Sequence, residues 1–326
     1  MRVFACPDCG SPVYFENLRC GCGFEISYDP VAEAMVQRTR SCANRAVIAC
    51  NWQPEEDGAL CPSCAMTNTR PDLSVEGNDV LWQRAEAAKR QVLSQLMSLG
   101  WFTSQDLGAR PVFDLLAEQT AQGQIQPMMG HLNGCITINV AEANPAEIVA
   151  RREEFDEPFR TMIGHFRHEI AHFLFLRLSE LPNFSDRFRC LFGDERTDYA
   201  QALAQYHDAG ARPKWREAHI TRYAASHPHE DWAETAAHAL HLRDVVESAG
   251  AVNLGPKAMP DDAEHAIATA LDLTLALNHV NRSMGLGDLY PFVVSPDVRA
   301  KLRFAFKALS EGPVPDRTAT RPGAQG

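Results

Sequence analysis

The chain has 326 residues, 45% of them apolar, enough to bury a sizeable core and long enough to suggest about two domains. Its net charge is −11, and the first 75 residues carry six Arg against nine Asp and Glu, so the basic footprint of a nucleic-acid partner is missing. No stretch approaches the roughly 18 uninterrupted apolar residues of a spanning helix, and MRVFACPDCG lacks an apolar signal region, so a soluble protein with no membrane partner is expected.

Residues 1–66 are rich in Cys, Gly and Pro, and the patches VYFE and FEISY read as β-hairpins too small to hold themselves together. Eight of the ten cysteines fall here, dividing in chain order into Cys6, Cys9, Cys20, Cys22 and Cys42, Cys50, Cys61, Cys64. CPDCG and CPSC leave two residues between thiols, which lets both sulfurs face one ion at about 2.3 Å. Two structural four-cysteine zinc sites are expected, ahead of one site with free thiols or no metal at all. CGC at 20–22 is one residue tighter than a usual knuckle. Thiolate clusters suit a reducing compartment, so the expected location is cytoplasmic. Cys135 and Cys190 are expected as small buried apolar residues.

TNTRPDLSVEGND, 67–79, reads as a linker. Helical periodicity begins at residue 80, with Leu81, Ala85, Ala88, Val92, Leu96 and Leu99 at three- and four-residue steps. GCITINV, 134–140, alternates like a strand. Helical patterns follow at about 158–179, 196–209, 228–249, 261–283 and 296–310. The Pro- and Gly-rich tail, 312–326, reads as disordered. The fold class is therefore α+β: a small β-rich module, then a mainly helical domain over 80–311.

GHFRHEIAHFLF, 164–175, carries the pattern His-Glu-x-x-His. Residues four apart on a helix lie within about 40° of each other, so His168 and His172 can direct imidazoles at one ion with Glu169 beside them. A catalytic zinc needs a third protein ligand and an open position. SHPHEDWAETAAHALHL, 226–242, offers it, with Ser226 and Pro228 as helix-start signals. Glu230, Glu234, His238 and His241 fall within an 80° strip by helical rotation, opposite Trp232, Ala236, Ala239 and Leu240. An ordinary solvated face is the bland alternative for this strip. His165 is expected as a supporting or core histidine. Asp194 and Glu195 of FGDERTDY are expected as loop and cap residues, with orientation of His168 or His172 as the alternative.

Beyond these spacings, CPDCG, CANRAVIACNW, GHLNGCITIN, EPFRTMIGHFRHEIAHF, FGDERTDYAQAL, SHPHEDWAETAAHALH and NRSMGLGDLYPFVVSP together resemble a bacterial family of zinc-dependent metallopeptidases. Its members couple an N-terminal zinc ribbon to an HExxH domain. The resemblance covers nearly the whole chain and implies a zincin-like catalytic domain, one catalytic and two structural zinc ions, and a peptide or protein substrate. CGC departs from the C-x-x-C of the family's second knuckle. A more distant resemblance is to gluzincins of the anthrax lethal factor type, whose E-x-[FW]-A-E helix supplies a glutamate ligand; EDWAE, 230–234, matches it. That likeness favours Glu230 as ligand with Glu234 in support, and places Tyr223, seven residues earlier, as a catalytic tyrosine. Glu169 is then the general base acting on a metal-activated water. Ile136–Val140 is expected as the edge strand on which an extended peptide pairs. A ribbon-guided nucleic-acid-associated protease and a non-catalytic zinc scaffold, its site closed by His238 or His165, are the rival readings. A protein partner docking through the ribbon is compatible with each.

Overall fold

The computed structural model describes residues 2–155, 160–211 and 213–313. The last thirteen residues, where most of the expected disordered tail falls, lie outside them.

The N-terminal region is built from two antiparallel hairpins. In the first, β1 (Val3–Ala5) pairs with β2 (Pro12–Tyr14); in the second, β3 (Ile26–Asp29) pairs with β4 (Ala34–Gln37). Two single-turn helices, α1 (Arg45–Ile48) and α2 (Pro62–Ala65), complete it. Its core is small, with Ile26, Tyr28 and Trp52 fully buried and Phe15 edge-on to Tyr28 at 4.8 Å. So little apolar area cannot offset the entropy of ordering some sixty residues, which is why metal clips are called for.

The segment expected as a linker is partly ordered into the second domain. Thr67–Thr69 forms β5, which pairs in parallel with β6 (Val112–Leu116). Between them runs α3 (Asn78–Met97), whose Ala85, Val92 and Leu96 are fully buried, so β5, α3 and β6 make a parallel unit with a helical crossover. The short hairpin of β7 (Gln119–Thr120) and β8 (Gly123–Gln124) follows, then β9 (Gly130–Leu132) and β10 (Cys135–Asn139). The four-stranded sheet has the order β5-β6-β10-β9.

The position of β10 corrects one expectation. It is bonded along its length to β6 on one side and, over Cys135–Thr137, to β9 on the other, so it is an inner strand of the sheet and not an edge. The free edge on that side of the sheet is β9.

The remainder is helical: α4 (Pro145–Phe155), α5 (Met162–Ser179), α6 (Phe184–Phe192), α7 (Tyr199–Ala209), α8 (Pro228–Ala251), α9 (Ala263–Ser283) and α10 (Pro296–Ser310). α5 starts where the Thr161 side chain accepts the Gly164 backbone N–H at 2.9 Å. It is buried on most of its surface, polar residues such as Arg167 and Glu169 included. Phe166, Ile170 and Leu174 are fully buried. α8 crosses it, and the Trp232 indole donates to the Ala171 carbonyl at 2.8 Å. Behind that bond Phe175, Phe184, Phe188, Phe192 and Phe304 close an aromatic cluster around Trp232. α8 is capped by the His227 imidazole rather than by Ser226, with Pro228 in its first turn. Among the described residues no helix is long and apolar enough to cross a membrane.

Candidate metal centre and active site

The pairing of α5 with α8 brings three of the expected residues to one point. His168 Nε2 lies 3.0 Å from Glu230 Oε2, His172 Nε2 lies 3.4 Å from the same oxygen, and the two imidazole nitrogens are 3.2 Å apart. On the far side of His168, Nδ1 meets Glu234 Oε1 at 2.6 Å. If Nδ1–H donates to Glu234, Nε2 is left as a lone pair facing a carboxylate and a second imidazole. Such a convergence of acceptors needs a cation, and two imidazoles with one carboxylate suit zinc. Glu230 is buried, and though burial opposes its charge, the charge of His172 and the hydrogen bond from His168 hold its pKa well below the ordinary value. Until a cation binds, a proton can fill its place: burial opposes charge on His168, but Glu230 and Glu234 raise its pKa well above the usual histidine range.

The other oxygen of Glu230 is held by a residue that the helical spacing could not reveal. Tyr199, at the first turn of α7, donates its hydroxyl to Glu230 Oε1 at 2.7 Å and sets its ring edge-on to His227. It belongs to FGDERTDY, whose Asp194 and Glu195 do serve the loop, pairing with Arg196 and Arg189. The signal that could have found Tyr199 is only its place in that stretch. Tyr223 lies in a short turn, Tyr223–Ala225, its ring 6.1 Å from that of His168. Burial first, and then the charge of Glu230, raise the pKa of both phenols, so each stays a proton donor at ordinary pH. The segment bearing Tyr223 is pinned by α10, whose Lys301 ammonium donates to the Ala218 carbonyl at 2.7 Å and to Asp231 at 2.5 Å.

Glu169 is 8% exposed and its Oε2 has no hydrogen-bond partner. It lines a cavity of about 570 Å3 beside the cluster, together with Tyr223, Glu234, His238 and His241. That oxygen is itself buried, an acceptor still lacking a donor among the described residues, on a side chain that reaches the cavity wall. His238 and His241 stay outside the three-residue cluster: His238 Nδ1 meets the Tyr290 hydroxyl at 2.9 Å, and His241 contacts the Arg167 guanidinium. His165 is engaged by Glu142 at 3.2 Å.

The N-terminal cysteines gather into the two expected sets, and all ten in the chain are free thiols. Cys6 and Cys22 lie 3.9 Å apart, Cys9 and Cys20 3.7 Å; Cys50 lies 3.6 Å from Cys61 and 3.8 Å from Cys64. Four sulfurs at 2.3 Å from a tetrahedral zinc are about 3.8 Å apart, so both sets fit the ion. The first set is half exposed, while all four members of the second are buried. The second also sits against α3, where the buried Arg90 leaves two guanidinium nitrogens without a hydrogen-bond partner. A buried cation without a partner is costly, and a four-thiolate zinc site of net charge about −2 would balance it. The remaining thiols depart from expectation. Cys190 is exposed, and Cys135 is half-buried with its sulfur 3.1 Å from Asp114.

Comparison with known proteins agrees with this chemistry. Residues 3–75 match the model of a zinc-ribbon domain family, and residues 78–308 match that of the family described as "Putative zinc-binding metallo-peptidase". Two uncharacterized proteins of Mycobacterium tuberculosis strains and one of Mycobacterium bovis are each 38% identical over 331 residues, covering 95% of this chain and 96% of the relative. No solved structure matches it. With one family model spanning most of the chain and a zinc ribbon before it, the protein belongs to the zinc-binding metallo-peptidase family of that description.

Proposed function

We propose that the protein hydrolyses peptide bonds in a zinc-dependent reaction centred on His168, His172 and Glu230. The observation that carries this reading is the meeting of three ligand-type atoms at the wall of a cavity that the carboxylate of Glu169, the residue next to His168, also lines. Zinc, when bound, supplies Lewis acidity that brings the pKa of water towards about 7 and polarises a carbonyl. The Glu169 carboxylate receives the proton released by water and passes it to the leaving amine. Tyr223 donates its phenolic hydrogen to the oxygen that gains charge in the transition state. Tyr199 holds Glu230 and Glu234 holds His168, so both side chains are oriented before substrate arrives. The open backbone of β9 is the place where an extended peptide can add a strand. Its His131 stacks edge-on against Phe173 of α5 at 6.0 Å, which sets that edge beside the active helix.

A closed scaffold site has less support, because both histidines able to complete it are engaged elsewhere, His238 by Tyr290 and His165 by Glu142. The test pairs metal analysis with a broad peptide-library digest. Glu169→Gln is expected to keep its zinc and lose hydrolysis at least about a hundredfold, the scale of a missing general base. Full activity in that variant, in a preparation free of other proteases, would refute the mechanism.

A further inference from the structure

The cavity beside the metal centre has a charge character of its own. Its two carboxylates are committed, Glu234 to His168 and Glu169 to the proposed proton transfer. Of its three arginines, Arg160 is bound to Glu142 at 2.7 Å. Arg216 and Arg222 are different: both are exposed, and among the described residues neither forms an ion pair, in a chain of net charge −11. The Arg216 guanidinium lies over the Trp215 ring, 4.4 Å from its centre. The Arg222 guanidinium packs over Gly210 at the end of α7, in the space that a Cβ there would take. Both project from the segment that presents Tyr223, pinned by Lys301. The lining also includes the apolar Ile220 and Phe292.

We propose that this cavity is a carboxylate-recognising subsite in which Arg216 and Arg222 receive an acidic group of the peptide substrate near the bond to be cut. The proposal rests on the peptidase reading above for its substrate, and its own content is the preference. An unpaired guanidinium offers a planar fork of donors that matches a carboxylate and discriminates it from the isosteric amide. The acid can be an Asp or Glu side chain or the C-terminal carboxylate of the peptide.

The experiment uses full-length protein loaded with zinc and fluorescein-labelled dodecapeptide pools, fixed at one position as Glu or Gln, with free or amidated C-termini. Cleavage and anisotropy-detected binding are both read. The expected result is a Glu-over-Gln preference of about tenfold or more at one position, falling as salt is raised. Equal Glu and Gln pools that both weaken about tenfold on amidation would assign the acid to the C-terminus. Arg216→Gln/Arg222→Gln is expected to bring the ratio to about one, and Arg216→Glu/Arg222→Glu to invert it, with zinc content and thermal midpoint as the check on folding. Lys214→Gln alters a cation of the same segment that pairs with Glu217, and keeps the wild-type ratio. Absence of cleavage by the wild type would sink the peptidase reading while binding still decides the subsite. Equal binding of Glu and Gln pools that amidation also leaves unchanged, or a preference that survives in both double variants, overturns it.

Discussion

Tyr199 decides which oxygen of Glu230 is left for a cation. Its hydroxyl occupies Oε1 at 2.7 Å, so Oε2 faces the histidines. Tyr199→Phe keeps the ring against His227 and deletes only the donor, and is expected to weaken zinc affinity at this centre about tenfold while sparing the ribbon sites. Competition with a chromophoric chelator measures this, and unchanged affinity would remove Tyr199 from the site. Glu230→Ala is expected to empty the centre, and Glu234→Ala to retain zinc with affinity or turnover lowered about 10- to 100-fold. Full zinc in the first variant and loss in the second would move the ligand one turn along α8. The sequence could set Glu230, Glu234, His238 and His241 on one strip, because helical rotation is a local property. Tyr199 was beyond its reach, since 31 residues separate it from Glu230 and only tertiary packing joins them.

Along α8 one face is packed against aromatic rings and the opposite face carries titratable groups, and this division makes the helix sensitive to acid. Burial holds His238 at a pKa of about 4. In the unfolded chain the same side chain binds a proton below about pH 6.5. Folding stability therefore falls as pH drops from 6.5 towards 4, by up to about 1.4 kcal/mol per pH unit from this group. His238→Gln removes that dependence. In urea denaturation the variant is expected to gain on the wild type steadily below pH 6.5, and parallel curves would show that His238 is not buried in its neutral form. The helices α3, α5, α7, α8, α9 and α10 were readable within a few residues from their apolar period, whereas α4 and α6, only 11 and 9 residues long, were missed. The strands were harder. β9 is three residues long and starts at Gly130, and β5 is the polar triplet Thr67–Thr69, so neither shows the alternation that exposed β10. That is why β10 was mistaken for an edge and β5 for part of a linker.

Over the whole molecule the two cysteine clusters differ in what they hold. The first is half exposed, whereas the second is buried against α3 and Arg90. Cys61→Ser is therefore expected to lower the thermal midpoint more than Cys9→Ser, because it strips charge from around a buried cation as well as a ligand from zinc. Differential scanning calorimetry with metal analysis tests this, and the reverse order would mean that the second cluster does not brace the catalytic domain. Intact protein is expected to carry about three zinc ions, and a single ion in protein purified without chelator would contradict the assignment of ligands. The cysteine spacing made both clusters legible, but their unequal burial depends on α3 and could not be read from residues 1–66 alone. The parallel unit of β5, α3 and β6 has a consequence for synthesis on the ribosome. Cys64 leaves the ribosome three residues before Thr67, and β5 then waits for a 20-residue helix to cross before β6 can pair with it. A nascent chain short of zinc has no fixed anchor for its first strand, and β6 is left as an open sheet edge ready to pair with other chains. Under zinc scarcity the cell is thus expected to lose the protein to aggregation or turnover instead of keeping a folded, idle pool awaiting metal.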